Sequence, residues 1–155
     1  EDIPENESTL EGNALVKARA IWEKYQLSCF SDDTGLEIDA LHGAPGVLSA
    51  RYGGIEKDPD LNMDKVLAEL SDVELRTAQF RTSIALIING QEQIFHGVVK
   101  GTIRKNRSGG DGFGYDPIFQ PDGYQTTFAE MSNSAKNKIS HRGMAIAALV
   151  EFLKE

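Results

Sequence analysis

Two adjacent acidic residues, Asp32 and Asp33, follow a short apolar run and precede Thr34 and Gly35. We expect them at the carboxyl end of a strand, which is where open α/β sheets place their ligand crevice. Carboxylates there can hold Mg²⁺ and position a water. Glu5, just outside a predicted helix, could supply a second oxygen ligand, because Mg²⁺ uses one or two carboxylates plus substrate phosphate. The alternatives are a simple turn for Asp-Asp-Thr-Gly and a solvated loop residue for Glu5.

A glycine-rich segment, Gly112-Phe113-Gly114-Tyr115-Asp116-Pro117, places two aromatic residues among glycines. Glycines let a ligand approach the backbone closely, and an exposed ring can stack on a nucleobase. The segment therefore indicates a base-binding loop. The alternative is a loop whose Phe and Tyr rings fill the core.

Three cationic or ionisable residues, Lys136, His141 and Arg142, lie near the start of the last predicted helix. His141 and Arg142 fall in its first turn, where the helix dipole disfavours positive charge. Their placement indicates an anion or an electron-rich acceptor as the partner. Ordinary exposed residues remain the alternative, because the cost of such placements is small.

The elements that must position these residues begin with a helix, a strand and a second helix. Ser8-Thr9-Leu10-Glu11 has the form of a capping box, with Ser8 at the cap, and predicts a helix to about residue 26. Residues 27–31 then predict a short buried strand. Asp58 followed by Pro59 predicts the start of a second helix that ends near residue 71.

The second half of the chain predicts a long hairpin and a closing helix. Apolar residues alternate with polar ones over residues 76–89, which is the period of a strand, and Asn89-Gly90 favours a type I′ turn. The return strand is expected over residues 91–103, and a short extended piece over residues 117–120. Ser140 is expected to cap the last helix, whose predicted core side is Met144, Ala145, Ala148, Leu149 and Phe152.

This order predicts an α/β domain with a long mixed sheet flanked by helices. The 155 residues fit one domain, and a net charge of −8 has the wrong sign for binding nucleic acid or anionic lipid. No apolar stretch approaches the roughly 20 residues needed to cross a bilayer. The single cysteine and the lack of a secretory leader favour the cytoplasm. We therefore expect no nucleic-acid or membrane partner.

Taken together, these segments resemble the inosine triphosphate pyrophosphatase family, the Ham1-like pyrophosphatases of non-canonical purine nucleoside triphosphates. Four motifs in the family's order and spacing carry the resemblance: residues 31–36; 43–46 with 49–52; 112–117; and 128–131 with Lys136 and 139–142. Thr34 replaces the more frequent Ser after the acidic pair and keeps the hydroxyl.

The resemblance implies Mg²⁺-dependent hydrolysis of ITP, dITP and XTP to the monophosphate and pyrophosphate, which removes deaminated purines from the nucleotide pool. It further implies a homodimer with two lobes around a central cleft. Asp33 would be the general base and a Mg²⁺ ligand, with Glu5 the other carboxylate at the metal. The implied substrate-binding residues are Thr34, Phe113, Gly114, Tyr115, Asp116, Lys136, His141 and Arg142.

The family begins with a strand and a loop of the form Ser/Thr-x-Asn-x-x-Lys that cradles the triphosphate, and this chain starts after that loop. We expect the upstream residues to be missing from this chain, so that its single domain is truncated; the alternative is a protein without the loop. Two rival functions stay open: a non-catalytic purine-nucleotide-binding module, and a phosphohydrolase with another nucleotide substrate.

Overall fold

The computed structural model describes residues 6–110 and 114–154. Within these residues the fold consists of four helices, four strands and short 3₁₀ turns. The helices are α1 (Leu10–Tyr25), α2 (Pro59–Glu69), α3 (Asn133–Ile139) and α4 (His141–Leu153). The strands are β1 (Cys29–Ile38), β2 (Thr77–Ile88), β3 (Gln91–Ile103) and β4 (Phe119–Pro121).

The four strands form one sheet in the order β1-β2-β3-β4. Every pairing among the described residues is antiparallel, whereas the sequence predicted a mixed sheet. The α/β fold with helices against a long sheet is confirmed. The β2–β3 hairpin is also confirmed, and Asn89 and Gly90 at its turn have φ angles of 51° and 83°. Both residue types tolerate this left-handed conformation, which explains the turn.

Strand β1 is longer than the sequence predicted. It continues through Asp-Asp-Thr-Gly to Ile38, so these four residues are neither a turn nor the end of a strand. Cross-strand pairing outweighs their turn preference: Thr34 lies opposite Thr82, and their hydroxyl oxygens are 2.8 Å apart. Gly35 is required by a close approach, because a Cβ there would lie 2.6 Å from the carbonyl oxygen of Gly46.

The helix boundaries follow local capping with one correction. Thr9, and not Ser8, is the N-cap of α1, and its hydroxyl accepts a hydrogen bond from the backbone N–H of Gly12. Asp58 and Ser140 cap α2 and α4 as predicted. Helix α3 was not predicted, because its seven residues are too few to show a clear apolar period. The predicted extended piece at residues 117–120 begins as a 3₁₀ turn and becomes β4 at Phe119.

Helices cover both faces of the sheet. Helix α1 packs Ala14 and Ala18 against one face of β2, and α4 packs Ala145 and Leu149 against the other. The largest apolar cluster lies on the α4 side and joins α2 to β1–β4. Met144, predicted as core, is 44% exposed, because α4 turns this position away from the sheet. No helix in the described part of the chain has the length and apolar character to span a membrane.

Candidate active site

A cleft of about 580 Å³ opens on the α4 side of the sheet. This volume is typical of small-molecule sites. The middle of β1, the turn at residues 46–51 and the start of α2 contribute to its wall, together with the 3₁₀ turn before β4 and the region where α3 meets α4. The cleft therefore collects segments that are distant in sequence.

The structure brings most of the predicted substrate-binding residues together in this cleft. Those that line it are Thr34, Gly114, Tyr115, Asp116, Lys136, His141 and Arg142. Phe113 and Glu5 lie outside the described residues. Asp33 is not among the residues that line the cleft, although Thr34, its neighbour in β1, is.

His141 is a buried polar residue in the cleft wall. Its side chain is only 8% exposed and stacks on Phe80, with ring centroids 4.8 Å apart. Burial, together with the nearby charges of Lys136 and Arg142, lowers the pKa of His141 to about 4, so the ring is neutral at neutral pH. Its Nδ1 atom has no hydrogen-bond partner among the described residues. A buried nitrogen is costly to leave without a partner, so this atom is a candidate for contact with a ligand or a water.

Lys136 and Asp116 form a buried ion pair beside His141. The Lys136 ammonium lies 2.5 Å from Oδ2 of Asp116, and the two side chains are 14% and 6% exposed. The ammonium also lies over the ring of Phe128, 5.6 Å from its centroid. The sequence predicted both charged residues at the site but not their pairing. Because the two charges neutralise each other, both side chains can stay buried in the cleft wall.

Tyr115 supports the cleft wall from within the core. Its side chain is 5% exposed, and its hydroxyl donates a 2.6 Å hydrogen bond to the backbone carbonyl of Ser49. Burial raises its pKa above the ordinary value. Tyr115 is therefore part of the core, as the alternative interpretation of this loop predicted. Its buried hydroxyl is hydrogen-bonded. The preceding Gly114 has a φ of 63°, a conformation that glycine adopts without strain.

The adjacent residues Asp32 and Asp33 point to opposite faces of the sheet, because side chains alternate along a strand. Oδ2 of Asp32 lies 2.9 Å from the Arg142 guanidinium on the α4 side. Oδ2 of Asp33 accepts a 3.1 Å hydrogen bond from the Asn13 amide on the α1 side. Lys17 of α1 donates to the backbone carbonyl of Asp32. The two carboxylates therefore cannot hold one ion jointly.

Of the two predicted metal ligands, Asp33 and Glu5, Asp33 alone lies within the described residues. No group of three or more His, Cys, Asp or Glu side chains that could hold a metal occurs within residues 6–110 and 114–154. Mg²⁺ does not need such a group, because it is often bound by one or two carboxylates plus substrate phosphates. The half-buried Asp33 carboxylate, held by an amide, is a suitable oxygen ligand of this kind.

Sequence reasoning missed several residues of the site. Asn13 contacts Asp33 from α1, and further cleft-lining residues with amide or ammonium groups are Lys57, Asn62, Asn133 and Asn137. Asn133 and Asn137 are four residues apart, on one side of α3, so recognition of α3 as a helix would have grouped them. Asn13 carries no such local signal, because its role depends on a strand 20 residues away.

Comparison with known proteins places the chain among enzymes of one kind. Residues 1–152 match the Ham1 family. The dITP/XTP pyrophosphatase of Flavobacterium psychrophilum is 55% identical over 154 residues, which are 99% of this chain and 81% of the relative. That of Porphyromonas gingivalis is 52% identical over 154 residues, 99% of this chain and 79% of the relative.

Solved structures agree with these relatives. The Staphylococcus aureus Ham1 protein matches with a TM-score of 0.96 and 39% identity, over 99% of this chain and 81% of that one. A HAM1 protein from Coxiella burnetii matches with a TM-score of 0.95 and 42% identity, over the same shares. The solved structures and the sequence comparisons therefore indicate the same family.

The buried, neutral His141 predicts a pH dependence of stability. Its folded-state pKa lies below that of the unfolded chain, so the unfolded state binds the proton more readily as pH falls from about 6.5 towards 4. We expect urea unfolding between pH 7.5 and 5 to show about 2 kcal/mol more loss of stability for the native protein than for His141→Phe. Parallel pH profiles for the two proteins would contradict a buried, neutral His141.

Proposed function

Because the chain belongs to the Ham1 family, we propose that it is a nucleoside triphosphate pyrophosphatase that hydrolyses dITP, XTP and ITP to the monophosphate and pyrophosphate. The names of its relatives support dITP and XTP directly. ITP is added because it shares the hypoxanthine base with dITP. The expected homodimer and cytoplasmic location stay predictions beside this proposal.

The observation that carries the proposal is a cleft whose wall holds the buried His141, with no partner for its Nδ1 among the described residues, together with Lys136 and Arg142. Hypoxanthine and xanthine present an acceptor oxygen at position 6, whereas adenine presents an amine there. The cleft offers N–H donors that would pair with the oxygen and face the amine unpaired. A polar mismatch of this kind can discriminate by about 10⁴-fold or more.

The charges in the cleft fit a polar, uncharged base better than a bare anion. The Lys136 ammonium is already paired with Asp116, and the Arg142 guanidinium with Asp32. Arg142 is 57% exposed on its side chain and can share its remaining N–H groups with a ligand. These side chains thus offer directed hydrogen bonds with most of their charge already balanced.

The phosphates would reach Asp33 around the outer edge of β1. Thr34 lines the cleft, and Asp33 precedes it on the opposite face of the strand. Within the described sheet β1 is an edge strand. In this proposal, a nucleotide with its base in the cleft presents its phosphates beside Asp33.

Asp33 would act as the general base that orients and deprotonates the attacking water. Positioning and electrostatics supply most of the catalysis in phosphoryl transfer, so the protein needs little further machinery. Mg²⁺ bound by Asp33 and Glu5 would neutralise charge on the phosphates. The sequence and the donor chemistry of Asp33 support this assignment, with Glu5 outside the described residues.

The products formed from dITP and dATP with Mg²⁺ test this proposal. We expect the protein, with its native upstream residues if these are needed, to release dIMP and pyrophosphate from dITP and far less from dATP. Asp33→Asn should lower kcat by at least about 10³-fold with the fold intact, because it removes the general base. Orthophosphate as the first product, binding without hydrolysis, or an active Asp33→Asn variant would each contradict the proposal.

Arg142→Ala tests whether Arg142 contributes to the selection of the base. The variant removes a charged donor from the cleft, so we expect the ratio of kcat/KM for dITP to that for dATP to fall about tenfold or more. Arg19→Ala is the matched control, because Arg19 is also half-exposed and paired with a carboxylate, Glu92, but lies on α1. An unchanged ratio in Arg142→Ala would show that other residues select the base.

A further inference from the structure

Asn13 is an amide buried between α1 and β1. Its side chain is 1% exposed, although it lies in the second turn of a helix whose other buried residues are Leu10, Ala14 and Ala18. A polar amide at a position otherwise filled by apolar side chains needs partners to offset its loss of water. The structure provides those partners at both ends of the amide.

The two hydrogen bonds of Asn13 fix the orientation of its amide. The backbone N–H of Glu7 donates to Oδ1 of Asn13 at 2.9 Å, and this end must therefore be the oxygen. The Nδ2 end then donates to Oδ2 of Asp33 at 3.1 Å. A rotation of the amide would place two donors together at Glu7 and two acceptors together at Asp33, so only one orientation is satisfied.

Asn13 thereby joins the segment that precedes α1 to the middle of β1. Glu7 is two positions after Glu5, the second carboxylate of the predicted metal pair, and Asp33 is the first. One amide is thus bonded both to Asp33 and to the short stretch of backbone that follows Glu5.

The helix that carries Asn13 is itself held firmly against the sheet. Ala14 and Ala18 pack on Ala85 and Ile87 of β2. At the N-terminal end of α1, Glu11 pairs with Arg81, whose guanidinium also lies 3.0 Å from a carboxylate oxygen of Glu37 on β1. Because these contacts fix the rotation of α1, the Asn13 amide has a defined position relative to β1.

We propose that Asn13 is a positioning residue for the Asp33 carboxylate, which it holds in the orientation needed to deprotonate water. This inference rests on the proposed function of Asp33. The amide donates to one carboxylate oxygen and restricts rotation of the side chain, so that the group need not reorganise at each turnover. Loss of a hydrogen bond that orients a metal-binding or reacting carboxylate typically lowers activity about 10- to 100-fold.

Two variants separate this role from a purely structural one. Asn13→Asp keeps an oxygen that can accept from the N–H of Glu7 but replaces the donor to Asp33 with a carboxylate oxygen. Asn13→Leu has a similar size and removes both bonds without adding charge. The matched control is Ala20→Gly, which weakens the same helix at a residue outside the cluster that packs α1 on the sheet and leaves both hydrogen bonds of Asn13 in place.

The experiment measures kcat and KM for dITP, the affinity for dIMP by calorimetry, and the thermal midpoint of each variant. We expect both Asn13 variants to lose about 10- to 100-fold in kcat and to keep dIMP affinity within about threefold, because the base cleft lies on the other face of the sheet. Ala20→Gly should lower the thermal midpoint and leave kcat within about twofold of the native value. A native kcat in Asn13→Leu, or equal losses of kcat and dIMP affinity in both Asn13 variants, would overturn the inference.

An NMR measurement on the native protein and Asp33→Asn distinguishes failure of this inference from failure of the proposed function. The side-chain NH₂ signals of Asn13, assigned by their absence in Asn13→Leu, should shift in Asp33→Asn. Unshifted signals would overturn the contact on which the inference depends. Shifted signals in a protein that releases no pyrophosphate from dITP would support the contact and overturn the catalytic role of Asp33, and with it the role of Asn13 in positioning.

Discussion

The antiparallel pairing of β1 with β2 determines on which face of the sheet each carboxylate of the acidic pair lies. Ten consecutive residues, Cys29–Ile38, pair with β2, and this carries the strand straight through the acidic pair. Side chains alternate along such a strand, so Asp32 faces α4 while Asp33 faces α1. A shift of one residue in the register would exchange the two carboxylates between the faces.

In the proposed reaction, this division separates the recognition of the base from the hydrolysis of the phosphate chain. On the α4 side, a neutral His141 and the paired side chains of Lys136 and Arg142 form a polar cleft over an aromatic core. On the α1 side, Asp33 meets a buried amide. In the proposed binding mode, a substrate with a flat base and a flexible phosphate chain contacts both sides of β1. Nucleoside triphosphates have this shape, and the proposed reaction uses both ends of it.

Local signals in the sequence were sufficient for several elements. The Asn89-Gly90 turn fixed the hairpin because its backbone angles suit few other residue pairs. Asp58 and Ser140 defined helix starts because their caps are made within the helix itself. The cleft residues Lys136, His141 and Arg142 were identified from their position near the start of a predicted helix, and the family resemblance added Thr34.

Features that depend on distant partners could not be predicted in the same way. Asp-Asp-Thr-Gly favours a turn in isolation, and only pairing with β2 shows that it is a strand. Asn13 reads as an ordinary helix residue until β1 brings Asp33 to it. In each case the deciding contact joins residues that short-range patterns do not connect.

The central claim is that the cleft recognises a 6-oxopurine through side chains that include His141. The most direct test is ¹⁵N NMR of the His141 ring during titration with dIMP and, separately, with dAMP. Our account predicts a large shift of Nδ1 with dIMP, because this atom gains the partner that it lacks among the described residues, and a much smaller shift with dAMP. An Nδ1 signal unchanged at saturating dIMP, or equal shifts with both nucleotides, would contradict it.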